Sequence, residues 1–240
     1  MERKESFGET AKKTAKEAVR HPLQRFTSPS RGVSLAVHLV SMASFVKSFH
    51  FLQVFPNPLV AEAYGSHFQF LTILGLTLAT ITCALGLLAD IFLSTKLFKA
   101  KNALSIVSTP MESLISILYW GLILIDKKLV VPDGMGIPLD ADLGLHAAPT
   151  VFLILDLVFF SPPWSVTFAS ALTTSGFAAT CYWFWVERCF SFNGWYPYPI
   201  FTMLNTLQRA GLFGFAAVVM AASTLALKWG YHKLNGHNML

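Results

Sequence analysis

Beyond residue 32 the chain runs as long apolar stretches separated by short polar breaks. Six stretches approach the ~20 apolar residues that a helix needs to cross a bilayer core. They cover residues 33–55, 70–93, 106–125, 145–160, 166–186 and 210–229. The runs are continuous rather than alternating, so they predict helices. Open sheets could not satisfy their backbone polar groups in lipid. The pattern therefore predicts an all-α, polytopic membrane protein, a bundle of six transmembrane helices. Three parts follow: a polar tail at 1–32, the six-helix transmembrane domain at 33–232, and a short C-terminal tail at 233–240.

Composition narrows the class further. Hydrophobic residues make up 54% of the chain and charged residues 13%, where a soluble domain carries roughly 25% charged. Residues 1–32 hold 12 of the 31 charges, leaving 19 for the other 208 residues. That is too few to cover a soluble surface, which excludes a soluble enzyme and a nucleic-acid binder despite the net charge of +5. Three cysteines exclude a disulfide-built module, and no Cys/His cluster suggests a metal site. No cofactor is expected. The tail has no apolar stretch of the secretory kind, and its four glutamates argue against a mitochondrial presequence. It reads as a solvated cytosolic segment whose basic residues suit anionic lipid headgroups.

Six spans put both termini on one side, and the positive-inside rule selects it. With the termini in the cytosol, 13 basic residues lie on that side, including Lys96, Lys99 and Lys101. Four lie opposite: Lys127, Lys128, Arg188 and Arg209. Trp195, Tyr196 and Tyr198 fit an aromatic belt at the far interface. An integral location in the endomembrane system or plasma membrane follows.

Ionisable residues inside spans are costly and mark candidate sites. His38, Lys47, His50, Asp90, Glu112, Asp126, His146, Asp156 and Glu187 are of this kind. Asp90, Asp126 and Glu187 lie near span ends, where water is in reach. Lys47 can snorkel. Glu112 and Asp156 are expected to pair with a buried base. Thr72 and His146 differ, because both lie just inside spans that start from the non-cytosolic side. They share a leaflet at similar depth in either orientation. A histidine there could take the proton of a threonine hydroxyl. A packing threonine and a hydrogen-bonded histidine fit the same positions.

Several motifs occur together around these positions. The run Tyr64-Gly65-Ser66-His67-Phe68-Gln69-Phe70-Leu71-Thr72 resembles the start of the second span in the androgen-induced membrane-protein family, which reads roughly G-x-R-W-K-Y-L-T. An Asp follows eighteen residues later there, and Asp90 stands at that spacing here. Asp126 to Pro132 is similar to the family's D-x-x-x-x-x-P loop. His146 and Asp156 are similar to the His and the acid of its fourth span. Gly194, Trp195, Tyr198 and Pro199 are similar to its G-x-W-x-Y-P signature, with altered spacing. His67-Phe68-Gln69 replaces the family's Arg-Trp-Lys. The resemblance runs from Tyr64 to Pro199.

It implies a threonine hydrolase that cleaves fatty acid esters of hydroxy fatty acids within the membrane. It also implies Thr72 as nucleophile, His146 as base and a membrane lipid as substrate. An acid that orients the histidine is harder to find. Asp90 is eighteen residues from Thr72, ~27 Å along a helix, and Asp156 is ~15 Å from His146. Asp126 closes span three on the correct side and is the possible supporting acid. Lys127, Arg188, Tyr198 and Arg209 share that side and suit either oxyanion donation or interfacial anchoring. The rival classes are a small-solute transporter and a non-catalytic multi-pass protein. No inverted repeat of the transporter kind is visible.

Overall fold

The computed structural model describes residues 28–131 and 136–236, and within them every regular element is helical. The basic tail, up to position 27, lies outside the described residues. Helix α1 is Arg31–Val54, and α2 is a short turn at Pro58–Ala61. Helices α3, Leu71–Phe92, and α4, Thr95–Ile125, form a tight hairpin. Helices α5, Leu139–His146, and α6, Ala148–Phe160, are one bent pair. Helix α7, Phe168–Asn193, is followed by the turn α8, Pro199–Met203, and the long α9, Thr206–Asn235.

Four of these, α1, α3, α4 and α9, are long and apolar enough to cross a membrane. A fifth joins them if α5 and α6, bent by 41°, count as one span. Helix α7 has the length, at 26 residues, but Ser170, Thr173, Thr174, Ser175 and Thr180 dilute its apolar character. Four or five clear spans thus stand where the sequence pattern suggested six.

Local chemistry sets the breaks. Leu93 adopts a left-handed conformation, φ 51°, and Ser94 caps α4 by accepting from the Leu97 N–H at 3.4 Å. The third helix therefore starts at Thr95, eleven residues earlier than its apolar run. At 31 residues it is ~46 Å long, against a bilayer core of about 30 Å. The α5/α6 break falls at Ala147, two residues before Pro149. Proline lacks the N–H and its ring crowds the carbonyl four residues back. The interruption leaves the His146 carbonyl to Ser116, whose Oγ donates to it at 2.6 Å.

Apolar burial does not by itself hold helices together in lipid, because the tails are as apolar as leucine. Close packing and buried polar bonds carry that role. Phe45, Leu76, Leu145 and Leu153 pack α1, α3, α5 and α6 together. Tyr182, Phe201 and Phe213 pack α7 to α8 and α9.

At the end of the bundle remote from Thr72, a polar knot ties α1, α3, α4 and α6. Ser34 Oγ donates to Asp90 at 2.7 Å, and His38 Nδ1 lies 2.8 Å from the same carboxylate. His38 Nε2 lies 3.1 Å from Asp156. Lys101 Nζ donates to both Asp156 oxygens, at 2.8 and 2.9 Å, and to Ser161 Oγ at 2.9 Å. Two expectations change here. Lys101 is not a loop charge on the cytosolic side, because α4 begins upstream of it and Asp156 neutralises it inside the bundle. Asp90 does not reach water, because α1 covers it. Asp156 has the expected base, whereas both oxygens of buried Glu112 lack a hydrogen-bond partner among the described residues. Lys47 pairs with Asp140 at an exposed position, 2.9 Å apart.

Candidate active site

Thr72 is the second residue of α3, and its position is set from outside that helix. The segment before it turns at Gly65, φ 82°, where a Cβ would come within 2.8 Å of Cys189 Sγ on α7. Side chains of α7 then take up the backbone of this segment. Asn193 accepts from the Tyr64 N–H at 2.8 Å and donates to the Tyr64 carbonyl at 3.0 Å. Trp185 Nε1 donates to the Phe68 carbonyl at 2.8 Å, and Tyr182 OH to the Gln69 carbonyl at 3.0 Å. Helix α7 thus fixes where α3 begins.

Phe70 offers no side-chain cap to α3, so the first N–H groups of the helix need outside partners. The Thr72 N–H donates to Tyr198 OH at 3.4 Å, and Thr72 Oγ1 lies 3.4 Å from the same oxygen. Phe70 and Phe201 hold the Tyr198 ring edge-on, each with its centroid 5.6 Å away. Burial pushes the Tyr198 phenol above its ordinary value, and the hydrogen bonds from Thr72 offset this only in part. The phenol therefore keeps its proton and remains a donor.

His146 is the last residue of α5. Its Nδ1 lies 2.8 Å from Asp142 Oδ1, one helical turn upstream. Its ring stacks on Tyr119 of α4, with centroids 3.4 Å apart and an interplanar angle of 6°. With Nδ1–H donated to the carboxylate, Nε2 is the basic nitrogen, the arrangement of histidine and acid in a catalytic triad. Nε2 has no hydrogen-bond partner among the described residues.

Thr72, Tyr119 and Tyr198 line one apolar cavity of about 110 Å³ between α3, α4, α7 and α9. Tyr119 thereby links the two halves of the site: it walls the cavity that Thr72 faces, and His146 stacks on it. The structure does not hydrogen-bond Thr72 to His146. Each has its own partner, Tyr198 for the hydroxyl and Asp142 for the ring.

Asp126 does not support the histidine. It ends α4 at an exposed position, where its side chain accepts from the Lys128 N–H at 2.9 Å. Arg209 shapes the loop between α7 and α9 instead of facing the cavity. It donates to the Leu204 carbonyl at 2.7 Å and to Glu187 at 3.2 Å. Arg188 lies over the Phe192 ring, 4.5 Å from its centroid. Asp142 and Tyr119 were not singled out in the sequence. The i, i+4 spacing of Asp142 and His146 was legible, but the apolar run begins at 145 and leaves Asp142 in a loop. The tyrosine stack depends on helix packing and has no local signature.

Residues 33–232 match the FAR-17a/AIG1-like protein family. The chain belongs to this family. The match covers every helix from α1 to α9 and every residue of the site, and it begins after the basic tail. A UPF0641 membrane protein of Schizosaccharomyces pombe is 34% identical over 203 residues, which is 84% of this chain and 91% of that protein. No solved structure matches the chain. The resemblance drawn from Tyr64 to Pro199 thus extends over nearly all of the helical part, and the protein is an integral membrane protein of this family.

Proposed function

We propose that this family member is an intramembrane threonine hydrolase of lipid esters, with fatty acid esters of hydroxy fatty acids as its substrate class. The observation that carries the reading is the convergence of Thr72 and a protonated Tyr198 at one apolar cavity, backed by an Asp142–His146 pair across Tyr119. An ester carbonyl at the cavity mouth lies before Thr72 Oγ1. His146 Nε2 takes the hydroxyl proton as Oγ1 adds to the carbonyl carbon. The Tyr198 phenol, 3.4 Å from Thr72 Oγ1, donates to the oxyanion. Collapse breaks the ester C–O bond, and His146 returns the proton to the leaving hydroxy acid. Water, deprotonated by His146, then releases the fatty acid and restores Thr72. The cycle requires His146 Nε2 and Thr72 Oγ1 to close on each other when the ester is bound, as catalytic hydrogen bonds often tighten only with substrate.

The same reading places six spans in the membrane and both termini in the cytosol. Helix α7 supports it by length, ~39 Å for 26 residues, and by packing along α9 while its side chains hold the segment before α3. Glycosylation tags inserted after Lys128 and after Gly236 test the topology: the first should be modified and the second should not.

Purified protein in lipid nanodiscs tests the chemistry. Wild type should release free fatty acid from a fatty acid ester of a hydroxy fatty acid and react with a fluorophosphonate. Thr72→Ala and His146→Ala should do neither while unfolding at the wild-type temperature. Full turnover by folded Thr72→Ala refutes the reading.

A further inference from the structure

The cavity at Thr72 has a direction. On α4 its wall runs from Leu122 to Met111, and on α9 from Leu212 to Met220. Those separations of eleven and eight positions span ~16 and ~12 Å along their helices. Space for it comes from small side chains on the facing helices, Ala178 and Ala179 of α7 and Ala216 and Ala217 of α9. Its hydroxyls lie near the two ends, with Thr72, Tyr119, Tyr182 and Tyr198 toward one end and Ser175 toward the other. Tyr182 is already committed to the Gln69 carbonyl. Between the ends the wall is aliphatic and aromatic and carries no charge.

A second cavity, of about 240 Å³, begins where the first stops. Ser175 and Met220 line both. Beyond them the character changes, because Ser165, Ser170, Thr174 and Thr224 supply hydroxyls to the second chamber. Met220 is buried at the junction, 3% exposed. A methionine is unbranched and has three rotatable bonds, so its end can fill the passage or leave it.

We infer that the first cavity is the binding channel for the acyl chain of the ester, carbonyl at Thr72 and methyl end toward Met220, and that Met220 is the floor that sets acyl-chain length. This rests on the hydrolase reading for the identity of the reacting end. The occupant follows from the wall: one polar end, then an uncharged run of apolar side chains, suits a saturated or unsaturated acyl chain. A ligand with a second polar group midway would leave it without a partner. The hydroxyl-lined chamber is closed to the chain while Met220 stands between.

The test uses full-length protein in nanodiscs and a series of p-nitrophenyl esters from short to long acyl chains. Wild type should show a length beyond which kcat/KM falls. Met220→Ala joins the chambers and should raise the long-to-short ratio of kcat/KM by about tenfold, the low end of what one methylene is worth in an apolar pocket. Met220→Trp blocks the passage and should lower that ratio. An unchanged ratio in both variants, each unfolding at the wild-type temperature, overturns the channel assignment but leaves the hydrolase reading intact. A fatty acid with a terminal diazirine gives a readout free of turnover. It should label the peptide around Met220 in wild type and equally in Thr72→Ala, with excess oleate competing. Labelling near Met220 without ester hydrolysis by the wild type would sustain the channel and sink the hydrolase. Labelling elsewhere would sink the channel.

Discussion

Replacing Lys101 with methionine isolates the polar knot from the candidate active site. The change keeps the length and apolar stem of the side chain and removes the ammonium. Three hydrogen bonds go with it, two to Asp156 and one to Ser161. Both partners of the ion pair are 1% exposed, so water cannot replace the lost contact. Asp156 keeps His38 Nε2, at 3.1 Å, and the hydroxyl of Ser161, at 3.2 Å, neither of which is a permanent cation, and His38 already serves Asp90. Removing one partner of a buried pair costs about 3–5 kcal/mol, chiefly through the charge left behind. For a chain of this size each kcal/mol shifts the midpoint by roughly 2–4 °C, so Lys101→Met should unfold about 6–20 °C below wild type. Tryptophan fluorescence during heating in detergent measures it. Adding Asp156→Asn removes the orphaned charge and should recover most of the loss, a coupling that a double-mutant cycle reads directly. Lys47→Met is the control, because its partner Asp140 is exposed, and its midpoint should stay at the wild-type value. Two results refute the reasoning: a Lys101→Met midpoint equal to wild type, or a double variant whose loss is the sum of the two single losses.

The remaining predictions concern the site and one helix contact. Asp142→Asn should lower kcat about 10²–10⁴-fold with little change in KM or midpoint, since Asp142 positions the His146 ring; Asp126→Asn should leave kcat unchanged, and the reverse order would restore Asp126 as the supporting acid. Tyr198→Phe should lower kcat by about 10²–10³-fold, the loss of one oxyanion donor. Because burial raises the Tyr198 phenol above its ordinary value of 10.0, the donor stays protonated as pH rises through that value, and the Tyr198→Phe defect should be the same at neutral and at mildly alkaline pH. Gly86→Ala should destabilise strongly, because the added methyl meets the His38 ring and two carboxylates hold that ring in place; a wild-type unfolding midpoint would show that α1 can yield there.

What the sequence disclosed follows the range of the interactions involved. The start of α3 was legible to within a residue, because the apolar run begins sharply at Phe70, the same place at which α7 clamps the preceding backbone. The start of α4 was not. Lys96, Lys99 and Lys101 look like a loop, and the partner that admits Lys101 to the interior stands 55 residues away. Asp90 sits near a span end, where local sequence points to water as its partner, yet the α1 residues Ser34 and His38 reach it from across the bundle. Helix α7 is too rich in hydroxyls to match the other spans by hydropathy, and its hold on the segment before α3 comes from Tyr182, Trp185 and Asn193 acting on the carbonyls of Gln69, Phe68 and Tyr64. At the site, Thr72 and His146 were both named from depth and resemblance, and Tyr198 only as one of four residues on their side; Asp142 and Tyr119 were not named. Tyr198 arrives from a loop 126 residues downstream, and Tyr119 from a third helix.

The clamp that α7 exerts on the segment before Thr72 has a mechanical consequence. The helix that fixes Thr72 also forms a wall of the apolar cavity through Ser175, Ala178 and Tyr182. Thr72 and the wall are therefore tied to one body, and any swing of α7 pulls on the segment that places the Thr72 hydroxyl. A lipid that parted α3 from α7 on its way in would break the bonds that aim Thr72. The α4–α9 seam of the same cavity is built differently, with Met111, Leu114 and Ile115 packed against Met220. Sliding apart there exchanges one set of apolar contacts for another with lipid tails, at little cost inside a bilayer. On the hydrolase reading, the α4–α9 seam is therefore the side at which an ester entering from the bilayer would meet the least resistance.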